Sequence, residues 1–267
     1  GDTFTGGVYL SNFVPGQDDT AAQLMIVSND ATVKILRVTT TTAAVNLTLT
    51  ENVQANPLDV SAVTLNGKWF IAYNSSLNRL HVYSPTESSG GISRVGLAAS
   101  GAPTVANTGA GTYAATPRWY IQAYRVKSGS TILRQGEFSA AVAFTPSGAG
   151  TAARVSRAAG ISEDETHWVL GASATSADGP FYEIAETIVA TTTYDDSAAP
   201  STYSTNDAVP VVGENYPFPS VKYLATDGVR LFGFGVWETA AGTSVIPVPG
   251  RVYIGPPLGS SVIGSTV

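Results

Sequence analysis

Apolar residues recur at every second position through most of the chain, first in "GVYLSNFV" and "QLMIVSND", then in "ATVKILRVTTTT" and "AAVNLTLTENV". Each run is bounded by Gly, Pro, Asn or Asp. A period of two marks a strand, because successive side chains point to opposite faces. In "TVKILRV" apolar residues occupy both parities, with Val33 and Ile35 on one and Leu36 and Val38 on the other. Such a strand is expected to be covered on both faces. Helical periodicity is lacking, so the pattern predicts an all-β chain with very little helix.

The stretch "DVSAVTLNGKWFIAYNSSLNRLHVYSP", Asp59 to Pro85, sets Asn66-Gly67 between two alternating runs. Asn-Gly accepts the positive φ angles of a type I′ turn, which predicts a hairpin there. The loop "NSSLN" then returns the chain into "RLHVYSP", making a three-stranded meander. The same order recurs from Val221 to Ser260: a strand, the turn Asp227-Gly228, the aromatic strand "RLFGFGVW", a longer loop and "RVYIGPP". A repeated meander of roughly 40 residues is the unit of a β-propeller blade, which buries its faces only against neighbouring blades.

Between the two meanders, "ASGAPTVANTGAGTYAATP", Ala99 to Pro117, is rich in Gly, Ala, Thr and Pro and reads as a boundary. Alternation then sharpens in "RWYIQAYRVKSG", with Trp119, Ile121 and Ala123 on one face and Tyr120, Gln122 and Tyr124 on the other. The organisation expected is propeller-like blades over 1–116, a separate β-domain over 117–200 and a return to a blade over 201–267.

The middle domain resembles the fibronectin type III-like sandwiches of tailed-bacteriophage virion proteins. Tyr120, Tyr124, Arg125 and Val126 match the aromatic strand of that family, and Gly136-Glu137-Phe138-Ser139 match its "GExSxPS"-like element. Further on, "ARVSRAAGI", "SEDETHWVLGASA", "SADGPFYEIAETI" and "ATTTYDDS" follow the family's order of strands and turns. Two departures stand out: Trp168-Val169-Leu170-Gly171-Ala172 replaces an arginine-rich strand, and Ser162-Glu163-Asp164 replaces a proline turn. The segments "GVRLFGFG" and "GRVYIGPP" are similar to the blade that follows the sandwich in that family, so the similarity runs from about Arg118 to Leu258.

The resemblance implies propeller-like blades with an inserted fibronectin type III/Ig-like sandwich, as in podovirus-type tail nozzle or tail-hub proteins. It further implies a non-enzymatic structural subunit of a virion, located in the phage tail. Its partners would be copies of itself in a symmetric ring, together with other tail or portal proteins. Two rival functions are a carbohydrate- or receptor-binding phage protein and a glycoside hydrolase.

Charge and composition narrow the chemistry. The 267 residues include 14 basic and 20 acidic side chains, a net charge of −6 that gives no attraction toward nucleic-acid phosphates. Without cysteine there is no thiol nucleophile, disulfide or thiolate zinc site. No run of eighteen apolar residues occurs, so no membrane-spanning helix is expected, and "GDTFTGGVYL" lacks the basic-then-apolar order of a signal peptide.

One cluster invites a catalytic reading: Glu163, Asp164 and Glu165 lie beside His167. General acid–base catalysis needs converging groups of tuned pKa, which neighbours in sequence do not supply. The expected role of "SEDET" is to cap the turn before a core strand, with His167 and Trp168 on opposite faces and Trp168 inside. Asp195 and Asp196 are expected in a solvated exit turn. His81 and His167 are too far apart in sequence to suggest a zinc site, and the glycines of "GAGTYA" lack the strand–turn–helix setting of a phosphate cradle. No catalytic, cofactor-binding or metal-binding residue is therefore assigned, and no cofactor is expected. Candidate partner contacts are Tyr216 and Phe218, in the extended connector "ENYPFP", and Trp237, beside the loop "ETAAGTS".

Overall fold

The computed structural model describes residues 4–10, 22–29, 33–39, 45–47, 60–66, 68–73, 80–83, 92–113, 116–147, 151–210, 215, 218–239 and 245–255. The chain is predominantly β, built from several antiparallel sheets. The first sheet is a meander of β1 (Phe4–Leu10), β2 (Ala22–Asn29), β3 (Val33–Thr39) and β4 (Val45–Leu47) in chain order. β2, β3 and β4 fall on the alternating runs of the sequence, and β1 overlaps the first run over Gly7–Leu10. A second meander joins β5 (Val60–Leu65), β6 (Lys68–Tyr73), β7 (His81–Tyr83) and β8 (Ile92–Arg94). The Asn-Gly hairpin is present: Leu65 pairs with Lys68, and Asn66 has φ 48°, as the first central position of a type I′ turn requires. The fourth strand, β8, was not foreseen in the three-stranded reading of this region.

The middle of the chain supplies β9 (Thr104–Tyr113), β10 (Arg118–Ser128), β11 (Thr131–Gln135), β12 (Val142–Phe144), β13 (Thr151–Ser156), β14 (His167–Ser173), β15 (Tyr182–Ile188) and β16 (Thr193–Asp196), then a short 3-10 helix at Pro200–Thr205. They form two sheets. The larger has the order β11-β10-β14-β15, with β12 also paired to β10, and the smaller has the order β16-β13-β9. Tyr120, Tyr124, Trp168 and Leu170 of the larger sheet share one core with Ala153 and Val155 of the smaller. The other face of the larger sheet is covered by Phe138, Phe181 and Val209, packed on Ile121, Ala123 and Val169. Both parities of β10 are therefore buried, which is why apolar and aromatic residues occupy both of them, Ile121 and Ala123 on one and Tyr120 and Tyr124 on the other. Trp119, on the same parity as Ile121 and Ala123, is only half-buried.

The chain ends its described course in a third meander, β17 (Tyr223–Thr226), β18 (Leu231–Thr239) and β19 (Val245–Ile254). The Asp227-Gly228 turn joins the first two strands. Asp227 Oδ1 accepts the backbone N–H groups of Val229 (2.8 Å) and Arg230 (2.7 Å), and Gly228 takes φ +88°, a conformation that costs other residues a Cβ clash. Leu231 and Leu224 of this sheet enter one core with Phe70, Leu80 and Val82 of the second meander. The Leu224 N–H donates to Ser61 Oγ at 3.0 Å. Among the described residues no helix is long and apolar enough to cross a membrane.

Two compact units result, one containing β1–β8 and β17–β19, the other containing β9–β16 and the 3-10 helix. The division falls at Gly96 and Phe218, whereas the sequence suggested 117 and 200. The difference comes from β9, which lies in the stretch read as a boundary and pairs with β13 from Thr104↔Ser156 to Thr108↔Ala152. As an edge strand, β9 leaves Thr104, Ala106 and Asn107 exposed, so it carries none of the apolar alternation by which strands are recognised.

Gly233 gives a test of packing in the unit that contains β17–β19. A Cβ there would stand 2.6 Å from Val221 Cγ1 and 2.9 Å from Phe218 Cε1. Gly233→Ala is expected to destabilise this unit by about 1–3 kcal/mol through overpacking, read as a lowered denaturation midpoint. An unchanged midpoint would refute close packing of Phe218 on β18.

Candidate functional site

The acid-rich loop before β14 is held together by its own carboxylates. Glu165 Oε1 accepts the N–H groups of Ile161 (2.7 Å) and Ser162 (3.1 Å), and its Oε2 accepts that of Glu163 (2.8 Å). This wraps the loop tightly enough to hold Ser162 at φ 58° and Asp164 at φ 61°. Glu163 turns inward, 1% exposed, and its Oε2 accepts the Ala98 N–H at 3.0 Å. Arg134 donates to the Glu163 carbonyl at 3.1 Å. His167 is half-buried, with Nδ1 2.8 Å from Thr166 Oγ1. The capping role expected for "SEDET" falls to Glu165, while Glu163 ties the loop to the segment before β9. Both carboxylates are engaged by main-chain donors rather than turned toward a common point.

Asp195 and Asp196, read as a solvated exit turn, instead lie on β16 and face opposite ways. Asp195 forms an exposed two-bond pair with Arg154, at 2.7 Å for each bond, and the guanidinium holds its carboxyl below the usual carboxylate range. Asp196 is 1% exposed. Its Oδ2 accepts the Tyr120 hydroxyl at 2.7 Å and the Tyr203 hydroxyl, and sits 3.4 Å from Arg118 Nη1. Arg118 also donates to the Tyr203 hydroxyl oxygen at 2.9 Å, and Asp196 Oδ1 takes the Ala198 N–H at 3.0 Å. One buried carboxylate thus fastens β10, β16 and the 3-10 helix together. Its sequence signals were faint, because Arg118 opens a strand and Tyr203 falls in a polar "PSTYST" segment.

Burial, and after it the negative charge of Asp196, pushes the Tyr120 and Tyr203 hydroxyls well above the ordinary phenol range. Both phenols therefore keep their protons when folded, whereas in the unfolded chain they ionise near pH ~10. A raised folded pKa contributes stability that is complete below the unfolded value and declines as pH rises past it. Stability is expected to fall above about pH 10, and less steeply in a Tyr120→Phe, Tyr203→Phe variant. Denaturant melts at pH 8, 9.5 and 10.5 read this directly, and equal slopes for variant and parent would refute it.

The outer surface of the larger sheet of the middle unit carries a second polar group. Arg125, 6% exposed, donates to Gln135 Oε1 (2.6 Å), Glu186 Oε2 (2.7 Å) and Glu183 Oε1 (2.5 Å), and Lys127 also pairs with Glu186. Burial raises the Glu186 carboxyl, but Lys127 and Arg125 outweigh it and hold the group below its ordinary value. These bonds link β10 to its neighbour β11 and, across β14, to β15. Among the described residues no group of three or more His, Asp and Glu side chains is placed to hold a metal ion.

The three contact candidates separate. Tyr216 lies outside the described residues. Phe218 is 3% exposed and meets Tyr253 edge-on, with ring centroids 4.6 Å apart, so its ring belongs to the core of its unit and not to a contact surface. The cause is that the connector residue sits over the glycines at 233 and 255, whose missing side chains leave room for an aromatic ring. Trp237 lies on β18, in register with Pro247.

An apolar surface not named from sequence appears nearby. Tyr223, Phe234 and Val252 form one cross-strand row on β17–β19, and with Ile254 they are exposed. The signal was present, since β18 and β19 are apolar at both parities, as in "LFGF" and "VYI". No family model, curated protein or solved structure matches the chain.

Proposed function

We propose that the chain is a non-enzymatic structural subunit of a bacteriophage virion, a tail nozzle or hub component that assembles with copies of itself. Its meanders are then propeller-like blades and its middle unit an inserted fibronectin type III-like sandwich. The observation that carries this reading is the order of parts: two meander sheets, a two-layer β unit, and a further meander that shares a core with the second sheet. The resemblance in the middle and final segments implies the same order. Support of a different kind comes from the carboxylates. Glu163, Glu165 and Asp196 are each bound up in bonds that hold the fold.

Native mass spectrometry of the purified chain tests the proposal. A closed oligomer of defined copy number is expected, and the same protein should be found in tail fractions of intact particles. A chain that stays monomeric at micromolar concentration and is absent from particles would sink it.

A further inference from the structure

The chain enters the middle unit at Gly96 and leaves it before Phe218, and both connections are bonded to the same two residues, Gly136-Glu137, just after β11. On the entry side Leu97 forms a parallel bridge with Gly136, and the Ser100 N–H reaches the Glu137 carbonyl at 3.5 Å. A Cβ at residue 136 would stand 2.6 Å from the Ala98 carbonyl oxygen, so glycine is what lets the entry segment lie this close. On the exit side the Asn215 N–H donates to Glu137 Oε2 at 3.1 Å. Glu137 and Asn215 are both buried, at 3% and 2% exposed, so neither end of that bond has water to replace its partner.

The two residues are mounted firmly on β10. Gly136 N–H donates to the Tyr124 carbonyl at 3.0 Å, and two residues beyond Glu137 the Ser139 Oγ accepts the Gln122 N–H at 3.1 Å. The elements beside the connections are held less well. Entry leads into β9, an edge strand paired with β13 alone. Before the exit, the Asp207 carbonyl accepts the Glu183 N–H at 2.8 Å and Val209 N–H donates to the Phe181 carbonyl at 3.0 Å, along β15, the edge of the other sheet. Segments bonded on one side only are the first to open.

We infer that Gly136-Glu137 is a clasp that locks the entrance and the exit of the middle unit to one another. The segments at its two ends then open together or not at all. Movement of the chain leading in or out stops at the clasp, and the two-sheet core around Tyr120 and Trp168 is left intact. The clasp lies within one chain, so it stands or falls independently of the assembly reading.

Hydrogen exchange of the full chain at single-amide resolution tests the clasp. In the parent, the Ala98 and Asn215 amides are expected to exchange through one shared opening, with equal protection that falls in parallel as denaturant is added, and well before the amides of β10 and β14. Glu137→Ala removes the exit bond and is expected to lower protection at Asn215 about tenfold or more, the scale of a lost buried hydrogen bond. The same loss is expected at Ala98, although the Ala98 N–H donates to Glu163 and not to the substituted side chain. Gly136→Ala, which crowds the entry side, should loosen Asn215 by a similar factor. Both variants should keep parental protection in β10 and β14. Loss confined to the substituted side, or no loss, would show two separate contacts and overturn the clasp. A loss spread evenly over β10 and β14 would also overturn it, because Glu137 would then support the whole core. If the variants do not fold, the parent decides alone: unequal opening of Ala98 and Asn215 overturns the inference.

Discussion

Replacing Asp196 with alanine is expected to destabilise the middle unit by about 3–5 kcal/mol, the range found when one partner of a buried ion pair is removed. The carboxylate accepts two tyrosine hydroxyls and a backbone N–H and faces Arg118, itself fully buried. Deleting it leaves those donors inside without their acceptor, and a buried unmet donor costs more than a made bond gains. Asp196→Asn, which keeps one acceptor oxygen but not the charge opposite Arg118, should fall between parent and alanine. The neighbouring Asp195→Ala should change little, because its pair with Arg154 is half in water. Denaturation followed separately for each unit checks the series. Equal effects at 195 and 196 would refute the assignment of Asp196 to the core.

Trp168→Ala is expected to cost about 3–5 kcal/mol, as for other large aromatic deletions from a packed core. Trp168 is 1% exposed, lies among Tyr120, Tyr124 and Leu170, and donates Nε1–H to the Thr191 carbonyl at 2.8 Å. His167→Ala, one residue earlier and on the opposite face of β14, should cost much less. Near-ultraviolet circular dichroism and guanidinium midpoints of the two variants measure the contrast. Retained catalytic or ligand-binding behaviour is not the readout; the asymmetry across one strand is. Comparable losses at both positions would mean that the two sheets do not meet across Trp168.

The same two sites show how far the pattern of residues carries. Alternation located β10 and β14 and put Trp168 inside, because a period of two survives wherever one face is buried more than the other. It failed at β9, an edge strand of Thr, Ala, Asn and Gly, and there it turned a strand into a boundary. For Asp195-Asp196 it supplied two adjacent acids and no means of telling them apart. Parity alone says that they face opposite ways, but only the position of the smaller sheet decides which way is inward.

Phe218 and the β17–β19 face reverse each other for a related reason. An aromatic residue in a proline-rich connector reads as exposed, yet Gly233 and Gly255 open a space that draws Phe218 into the core. Aromatic residues in a strand read as core, yet Tyr223 and Phe234 are exposed.

What the amino-acid sequence determined by itself is local and periodic: an all-β chain, the positions of most strands, the Asn66 and Asp227 turns, and the burial of Trp168. Those follow from backbone sterics and from side chains alternating about one strand. The tertiary structure decided what depends on distant partners: the strand identity of β9, the unit boundaries at Gly96 and Phe218, the burial of Asp196 against Arg118, Tyr120 and Tyr203, and the exposure of Tyr223 and Phe234. Each of these is set by which sheet lies opposite, and burial is a property of two surfaces rather than of either one's sequence.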